Sequence, residues 1–359
     1  MLRFLIPAVA ALVCSACASI PDKMMMPVNA VADGATQVPI LVATTRRAVP
    51  DDPGVMFGSD RASTVSYAAV TISVPPDATR TIGHVQWPTA APGDPRRDFV
   101  TTAADYIDEA QFRSAVDRAA QGGQRKVLVF VHGFNNRFDE AVFRFAQIVH
   151  DSKSRAIPVL FTWPSRGEVA LSAYTYDRES ANYSRDALEQ LLATLSRNPN
   201  VAEINVIAHS MGNWVTLEAL RTRSIQRASA PSRDRSDKLK NVLLVAPDVD
   251  VDVFRSQIQR MGPYRPHIEL FVSRDDTALD LSKIIWGGVS RMGDVNVQEE
   301  PYRSELARDN IVVFDLTKLR TPGDDAHSRA FDDITEVMTM IEQRMPDEQR
   351  PAPPRAKRQ

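Results

Sequence analysis

The stretch INVIAHSMGNW, residues 204 to 214, determines how the rest of the chain is interpreted. Residues 204 to 208 form a short run of mostly strand-forming residues, which is typical of a buried parallel strand. From Met211 to Ile225 the apolar residues have helical spacing. The pattern therefore predicts that Ser210 stands on the turn between a strand and a helix.

This position makes Ser210 a candidate nucleophile. A serine on so sharp a turn needs small residues two positions before and after it, because larger side chains would collide with the strand and the helix. Ala208 and Gly212 meet that requirement. The same residues also fit an ordinary turn with a capping serine. The rest of the chain must decide between the two interpretations.

The composition is that of a globular protein. The chain has 359 residues, of which 43% are hydrophobic and 25% are charged, so it can bury a substantial core. The 43 Lys and Arg residues nearly balance the 45 Asp and Glu residues, and the net charge is -2. The sequence lacks a basic stripe with interleaved aromatic residues, so nucleic acid is not an expected partner.

The first 19 residues, MLRFLIPAVAALVCSACAS, have the pattern of an export signal. A single cation, Arg3, precedes an apolar stretch from Phe4 to Val13 that is too short to span a membrane, and small residues follow. Two processing routes remain open: cleavage after Ala18, or lipidation of Cys17 in a lipobox, which we slightly favour. Either route predicts a protein of the bacterial cell envelope, periplasmic or anchored to the membrane through Cys17.

Four segments are expected along the chain. Residues 1–18 are the predicted signal peptide, residues 19–36 a tether, residues 37–345 a single domain and residues 346–359 a disordered tail rich in proline and charge. Both cysteines, Cys14 and Cys17, fall in the signal segment or at its end. The mature domain is therefore expected to have neither a disulfide nor a catalytic thiol.

The centre of the domain alternates strands with helices. Strands are predicted at residues 127–131, 158–162, 204–208, 242–246, 268–272 and 311–314, with helices between them and a closing helix over residues 331–341. This alternation predicts an α/β fold, with a parallel sheet covered by helices on both faces. Residues 38–46, 65–74 and 82–87 are predicted as earlier strands without helices between them, so the sheet is expected to begin antiparallel.

Polar residues follow several of these strands. In a parallel sheet ligands collect at the carboxyl ends of the strands, and Ser210 is predicted to lie at one of those ends. HGFN, residues 132–135, follows the first parallel strand, SRDD, residues 273–276, follows the fifth, and His327 lies beyond the last. Serine, then acid, then histidine is the chain order of the triad in an α/β-hydrolase.

Six motifs together resemble a bacterial α/β-hydrolase family known as a domain of unknown function. They are FVHGFNN at 130–136, FTWPSRG at 161–167, YDRESA at 176–181, AHSMGN at 208–213, APDVD at 246–250 and SRDDTAL at 273–279. The resemblance covers residues 37 to 345 and is more specific than any single motif. It implies the α/β-hydrolase fold and a serine-hydrolase centre, and it does not imply a substrate.

His327 is the expected general base. A serine hydroxyl is a poor nucleophile near neutral pH and needs an imidazole within hydrogen-bond reach. The other five histidines are less suitable: His132 and His209 belong to the turns at the candidate site, and His84, His150 and His267 precede or start predicted elements.

Three aspartates could orient the imidazole. Asp275 and Asp276 are adjacent, so only one of them can face His327. Asp276 is favoured because the resembling family keeps an acid at this position. Asp248, in the APDVD motif, is the third candidate because it follows the preceding strand.

Backbone amides are expected to stabilise the oxyanion that forms during acyl transfer. The amide of Met211, directly after the nucleophile, and the amide of Phe134, in the HGF turn, are the two candidates. Gly133 would let the backbone approach closely. Loss of one such donor costs about 3 kcal/mol of transition-state stabilisation in related chemistry.

The sequence thus predicts a serine hydrolase that cleaves a small-molecule or lipid carboxylic ester through an acyl-enzyme. An acyltransferase or thioesterase could use the same centre, and an inactive, envelope-anchored binding protein with the hydrolase fold is a further alternative. Metal-ligand spacing and phosphate-binding glycine loops are missing from the sequence. We therefore expect neither a metal nor a cofactor.

Overall fold

The computed structural model describes residues 20–229, 237–276, 278–279, 282, 290–317, 319, 327–333 and 337. The predicted signal segment with Cys17 and the predicted tail, residues 346–359, lie outside the described residues. Most of the predicted closing helix lies outside them as well.

Nine strands in the described part of the chain form one sheet. They are β1 (Thr36–Ala48), β2 (Phe57–Val74), β3 (Val100–Ile107), β4 (Lys126–Val131), β5 (Ile157–Thr162), β6 (Glu203–His209), β7 (Leu239–Val245), β8 (His267–Val272) and β9 (Val312–Asp315). Their order across the sheet is β3-β2-β1-β5-β4-β6-β7-β8-β9. The pairs β1/β2 and β2/β3 are antiparallel, and every other neighbouring pair is parallel. The predicted parallel sheet with an antiparallel beginning is confirmed.

Helices connect most of the parallel strands. Those with described bounds are α1 (Glu109–Gln121), α2 (Phe138–Asp151), α3 (Leu171–Arg197), α4 (Gly212–Ser229), α5 (Val251–Met261), α6 (Tyr302–Arg308) and α7 (Arg329–Asp332). None of the helices among the described residues combines the length and the apolar character needed to cross a bilayer.

The strand β4 illustrates how the sheet buries both of its faces. Its residues Val127, Val129 and Val131 belong to a buried cluster that includes apolar residues of α1, α3, α4 and α5. Phe130 points to the other face, where its ring lies 5.3 Å from Phe145 of α2 and 5.8 Å from Phe331 of α7. Because successive side chains of a strand point to opposite faces, a continuous apolar strand requires helices on both sides.

One predicted strand is wrong. Residues 82–87 form a loop, and the third antiparallel strand is β3, at Val100–Ile107. The apolar residues of the loop are buried by packing instead of strand pairing: Val85 is buried, and the Trp87 ring stacks on Phe143 of α2 at 5.5 Å. Gly83, whose φ is 87°, turns the chain within this segment.

The segment that the sequence analysis treats as a tether packs onto the domain. Met24 and Met25 are fully buried in the cluster that contains α2. The Thr101 hydroxyl donates to the Met24 carbonyl at 2.9 Å, and the Val28 amide donates to the Thr101 carbonyl at 2.8 Å. These contacts make residues 24 to 28 part of the folded unit.

Substitution of Met25 by Ala should therefore lower the free energy of unfolding by about 2–5 kcal/mol, because it leaves a cavity in the core. Met26, which is 41% exposed, is the matched control, and Met26→Ala should change stability by less than about 0.5 kcal/mol. Urea unfolding of the two variants measures the difference. Equal, small effects would show that the segment does not contribute to the core.

Candidate active site

Six consecutive polar loops meet at one edge of the sheet. Because β4 to β9 are parallel, their carboxyl ends lie on the same side. The residues that follow these ends are His132 after β4, Trp163 after β5, Ser210 after β6, Asp248 after β7, Asp276 after β8 and His327 after β9. All of the catalytic and oxyanion-binding residues proposed from the sequence lie in or beside these loops.

Ser210 occupies a strained turn between β6 and α4. Its φ is 50°, in the left-handed region that costs a residue other than glycine roughly 1 kcal/mol or more. The turn is held by its neighbours: the Ser210 amide donates to the Val245 carbonyl at 3.0 Å, and the Asn213 side chain donates to the Ser210 carbonyl at 2.8 Å. This is the geometry of a nucleophile elbow.

Two glycines allow the elbow to contact the loop after β4. A Cβ atom on Gly212 would lie 2.3 Å from the His132 carbonyl oxygen. A Cβ atom on Gly133 would lie 2.9 Å from the Cβ atom of Ser210. The expected close approach of the Gly133 backbone is thus present, and lack of space is the reason for glycine at both positions.

The two amides proposed for the oxyanion lie on the two sides of this contact. Met211 directly follows Ser210, and Phe134 directly follows Gly133. Among the hydrogen bonds of the described residues, neither amide donates to a protein acceptor. The use of these two amides in catalysis stays a prediction.

His327 and Asp276 lie in direct contact. The Nδ1 atom of His327 is 2.8 Å from Oδ2 of Asp276, whose side chain is fully buried. The other carboxylate oxygen of Asp276 accepts from the amides of Ala278 and Leu279, at 3.0 and 3.2 Å. A carboxylate held in this way directs the hydrogen of the imidazole to Nδ1 and leaves Nε2 as a base.

The contact between His327 and the Ser210 hydroxyl stays a prediction. His327 and Ser210 lie at the same sheet edge. Catalytic hydrogen bonds are often long or misaligned in free enzymes and tighten when substrate binds.

Asp275, the first alternative acid, is turned toward Arg329. Both of its oxygens accept from the guanidinium, each at 2.9 Å, and the Ser273 hydroxyl donates to it at 2.7 Å. The hydrogen bonds from Arg329 lower the pKa of Asp275 to about 2. This side chain has an electrostatic partner of its own and does not contact His327.

Asp248, the second alternative, lies in a buried polar cluster. Its oxygens accept from the hydroxyls of Tyr174, at 2.7 Å, and Ser282, at 2.6 Å, and the Arg291 guanidinium lies 3.4 Å away. The Tyr174 ring packs edge to face against Phe134 at 5.3 Å. Asp248 therefore holds the Tyr174 side chain beside the loop that carries the Phe134 amide, one of the two candidate oxyanion donors.

A network that the sequence analysis did not identify holds this loop. Arg46, a buried residue of β1, donates from Nε to the Thr162 hydroxyl at 2.9 Å, and that hydroxyl lies 2.9 Å from Nε2 of His132. His132 donates from Nδ1 to the Gly133 carbonyl at 2.9 Å. Burial, reinforced by the Arg46 charge, holds the pKa of His132 well below its usual value. The neutral ring thus has both nitrogens hydrogen-bonded, Nδ1 to its own loop and Nε2 to the end of β5.

Asp177 of α3 holds the same loop from the opposite side. Its carboxylate accepts from the Arg166 amide at 2.8 Å and from the Asn135 amide at 3.4 Å, and the Ser165 hydroxyl also donates to it. Burial raises the pKa of Asp177. Two of the motifs that carry the family resemblance, FTWPSRG and YDRESA, contain Thr162, Ser165 and Asp177, so a signal for this network was present in the sequence.

Within the described ranges, no group of three or more His, Cys, Asp or Glu residues is arranged to hold a metal ion.

The comparisons with known proteins agree with this architecture. A family model described as "Alpha/beta hydrolase of unknown function (DUF900)" matches residues 108–344. The chain has the α/β-hydrolase fold, with a nine-stranded, mostly parallel sheet surrounded by helices. The comparison with curated proteins gave no match.

Three solved structures illustrate the structural likeness. A lipase-esterase related protein from Clostridium acetobutylicum is 10% identical, with a TM-score of 0.32, covering 62% of this chain and 95% of its own. The esterase Pf2001 from Pyrococcus furiosus is 10% identical, with a TM-score of 0.33, covering 88% of this chain and 95% of its own. Esterase B from Lactobacillus rhamnosis is also 10% identical, with a TM-score of 0.33, and the match covers 88% of this chain and 92% of that protein.

The two adjacent aspartates can be separated by matched substitutions. Asp276→Asn should lower kcat for an ester by about 10³- to 10⁴-fold, because the amide can no longer orient and stabilise the imidazolium. Asp275→Asn should leave kcat close to that of the natural chain and should weaken the contact with Arg329. Steady-state kinetics of both variants checks the assignment, and the opposite ranking would transfer the role to Asp275.

Gly133→Ala should lower kcat by about 10²-fold, because the added methyl group displaces the candidate oxyanion loop from Ser210. Gly122→Ala is the control: Gly122 ends α1 away from the site, and its φ of -71° suits any residue. Comparison of kcat for the two variants, with thermal unfolding to confirm that both are folded, measures the effect. A Gly133→Ala variant with full activity would exclude the loop from catalysis.

Proposed function

Because the chain belongs to the family "Alpha/beta hydrolase of unknown function", we propose that it is a serine hydrolase that cleaves carboxylic esters at Ser210. The observation that carries the proposal is the hydrogen bond of 2.8 Å between His327 and the buried Asp276, at the same sheet edge as the Ser210 elbow. An imidazole oriented by a carboxylate, at the same sheet edge as a serine on a strained turn, is the arrangement that acyl transfer requires.

In the proposed first half-reaction, Ser210 Oγ attacks the ester carbonyl carbon while its proton passes to Nε2 of His327. The carbonyl oxygen becomes an oxyanion, which accepts hydrogen bonds from the amides of Met211 and Phe134. The tetrahedral intermediate then expels the alcohol, which takes the proton from Nε2. The acyl group remains on Ser210 as an ester.

In the second half-reaction, water attacks the acyl-enzyme. His327 accepts a proton from the water, a second tetrahedral intermediate forms, and Ser210 leaves with that proton as the carboxylic acid is released. Asp276 stabilises the imidazolium in both halves and keeps its own charge. Each cycle consumes one ester and one water and regenerates the free hydroxyl.

The buried network around His132 supports this mechanism through preorganisation. Amides stabilise an oxyanion best when they already point at the place where the charge develops, because no reorganisation is then needed. Arg46 and Asp177 hold the HGFNN loop from two elements, β1 and α3.

We infer that small-molecule or lipid esters are the substrates.

Ser210→Ala should abolish both hydrolysis of short acyl p-nitrophenyl esters and labelling by a fluorophosphonate probe. The control is Ser290→Ala, because Ser290 is an exposed serine in GVSRMG, residues 288–293, which resembles an elbow in sequence but has the wrong spacing, and it should retain both activities. Activity assays and in-gel fluorescence of the labelled chain provide the two measurements. Labelling that persists in Ser210→Ala would refute the assignment of the nucleophile.

Further assays of the natural chain separate the alternatives. An acyltransferase would yield transfer product when alcohol acceptors are supplied with the ester, and a thioesterase would prefer the thioester of the same acyl chain. A natural chain that neither labels nor turns over a broad ester panel, yet binds an envelope component, would be a binding protein with the hydrolase fold.

A further inference from the structure

His209, the residue directly before Ser210, has no role in the proposed mechanism, yet it contacts the loop that carries the base. Its Nε2 atom lies 3.0 Å from the backbone carbonyl oxygen of His327. The centroids of the two imidazole rings are 4.7 Å apart. A side chain of the nucleophile elbow therefore touches the main chain of the candidate general base.

The chemistry of this contact defines the protonation of His209. A carbonyl oxygen only accepts, so Nε2 of His209 must carry the hydrogen and donate it. Burial lowers the pKa of His209 to about 3, with a contribution from the neighbouring His327 ring. His209 is therefore neutral at ordinary pH, and its single N–H is committed to His327.

The other side of the His209 ring faces the oxyanion loop. Its Nδ1 atom lies 3.1 Å from the position that a Cβ atom on Gly133 would occupy. The ring thus fills the space between the HGFNN loop and the His327 loop. His209 directly precedes Ser210 in the chain. The contacts of its ring therefore hold both loops in position relative to Ser210.

The chain after His327 is held independently by α2. Phe331 packs edge to face against His209 at 5.1 Å, and the Gln147 side chain of α2 donates to the Phe331 carbonyl at 3.2 Å. Arg144 of α2 also pairs with Asp332 at 3.1 Å. These contacts hold Phe331 and Asp332 on α2, whereas the hydrogen bond from His209 holds the main chain of His327 itself.

We propose that His209 is a positioning residue that ties the main chain of His327 to the nucleophile elbow and so fixes the distance between the base and Ser210. The proposal rests on the proposed serine-hydrolase function. Asp276 orients the ring of His327, and His209 holds its backbone. Both restraints are needed because a misplacement of about 1 Å can cost 10²-fold in rate.

His209→Leu removes the donor and keeps an apolar side chain of useful size, whereas His209→Gln keeps an N–H that can reach the same carbonyl. We expect His209→Leu to lower kcat for a short acyl ester by about 10²-fold with little change in KM, and His209→Gln to recover most of this loss. The rate of fluorophosphonate labelling should follow kcat, because it also requires the serine to be activated.

Gln257→Leu is the matched control for the loss of a buried hydrogen bond. Gln257 lies on α5 and donates to Glu218 at 2.7 Å, away from the site. This variant should lower Tm and leave kcat unchanged. If His209→Leu behaves in the same way, with a lower Tm and an unchanged kcat, His209 is merely structural and the proposal is wrong.

Hydrogen exchange provides a readout that does not require activity. The amides of residues 327–333 should exchange faster in His209→Leu than in the natural chain, and this difference should be absent in Gln257→Leu. Unchanged exchange would overturn the proposed contact. Faster exchange in His209→Leu, together with a natural chain that has no esterase activity, would preserve the contact and refute both the proposed function and the positioning role of His209 in it.

Discussion

The candidate site depends on a steric constraint: two segments of backbone contact each other where a side chain cannot fit. At Gly212 a methyl group would lie 2.3 Å from the His132 carbonyl oxygen, and at Gly133 it would lie 2.9 Å from the Cβ atom of Ser210. This contact brings the loop after β4 against the elbow after β6. The strained φ of Ser210 and the hydrogen bonds around Asn213 maintain the same arrangement.

Buried charges maintain the shape of the loop. Burial lowers the pKa of Arg46 to about 10 and raises the pKa of Asp177, so solvent exclusion opposes the charged form of both. They remain compatible with the core because they bond to loop groups that have no partner in a helix or strand, such as the Asn136 carbonyl at 2.7 Å from Arg46. The polar interior of this protein thus supports irregular backbone at the sheet edge.

The local sequence pattern predicted the parts of the structure that depend on neighbouring residues. The alternation of strands and helices, the elbow at Ser210 and the placement of His327 beyond the last strand all follow from short-range patterns. Residues 82–87 were mistaken for a strand because an apolar loop packed on a helix has the same composition. The choice between Asp275 and Asp276 could not follow from spacing alone, since it depends on Arg329, 54 residues after Asp275. The contacts of Arg46 with Thr162 and of His209 with His327 span 116 and 118 residues, beyond the reach of any local pattern.

The topology explains why the position of His327, the candidate base, depends on contacts outside its own connection. In the sheet order, β9 lies three strands away from β6, which at about 4.8 Å per strand is a separation of roughly 14 Å. The 11 residue-to-residue steps from Leu316 to His327 could span about 36 Å when extended, so the length of the connection does not determine where His327 lies. Its position is set by side chains along the path: Asp276, after β8, binds the ring, and His209, at the end of β6, binds the backbone. The segments that follow β6 and β8, and not the strand that precedes His327, therefore determine the position of this candidate base.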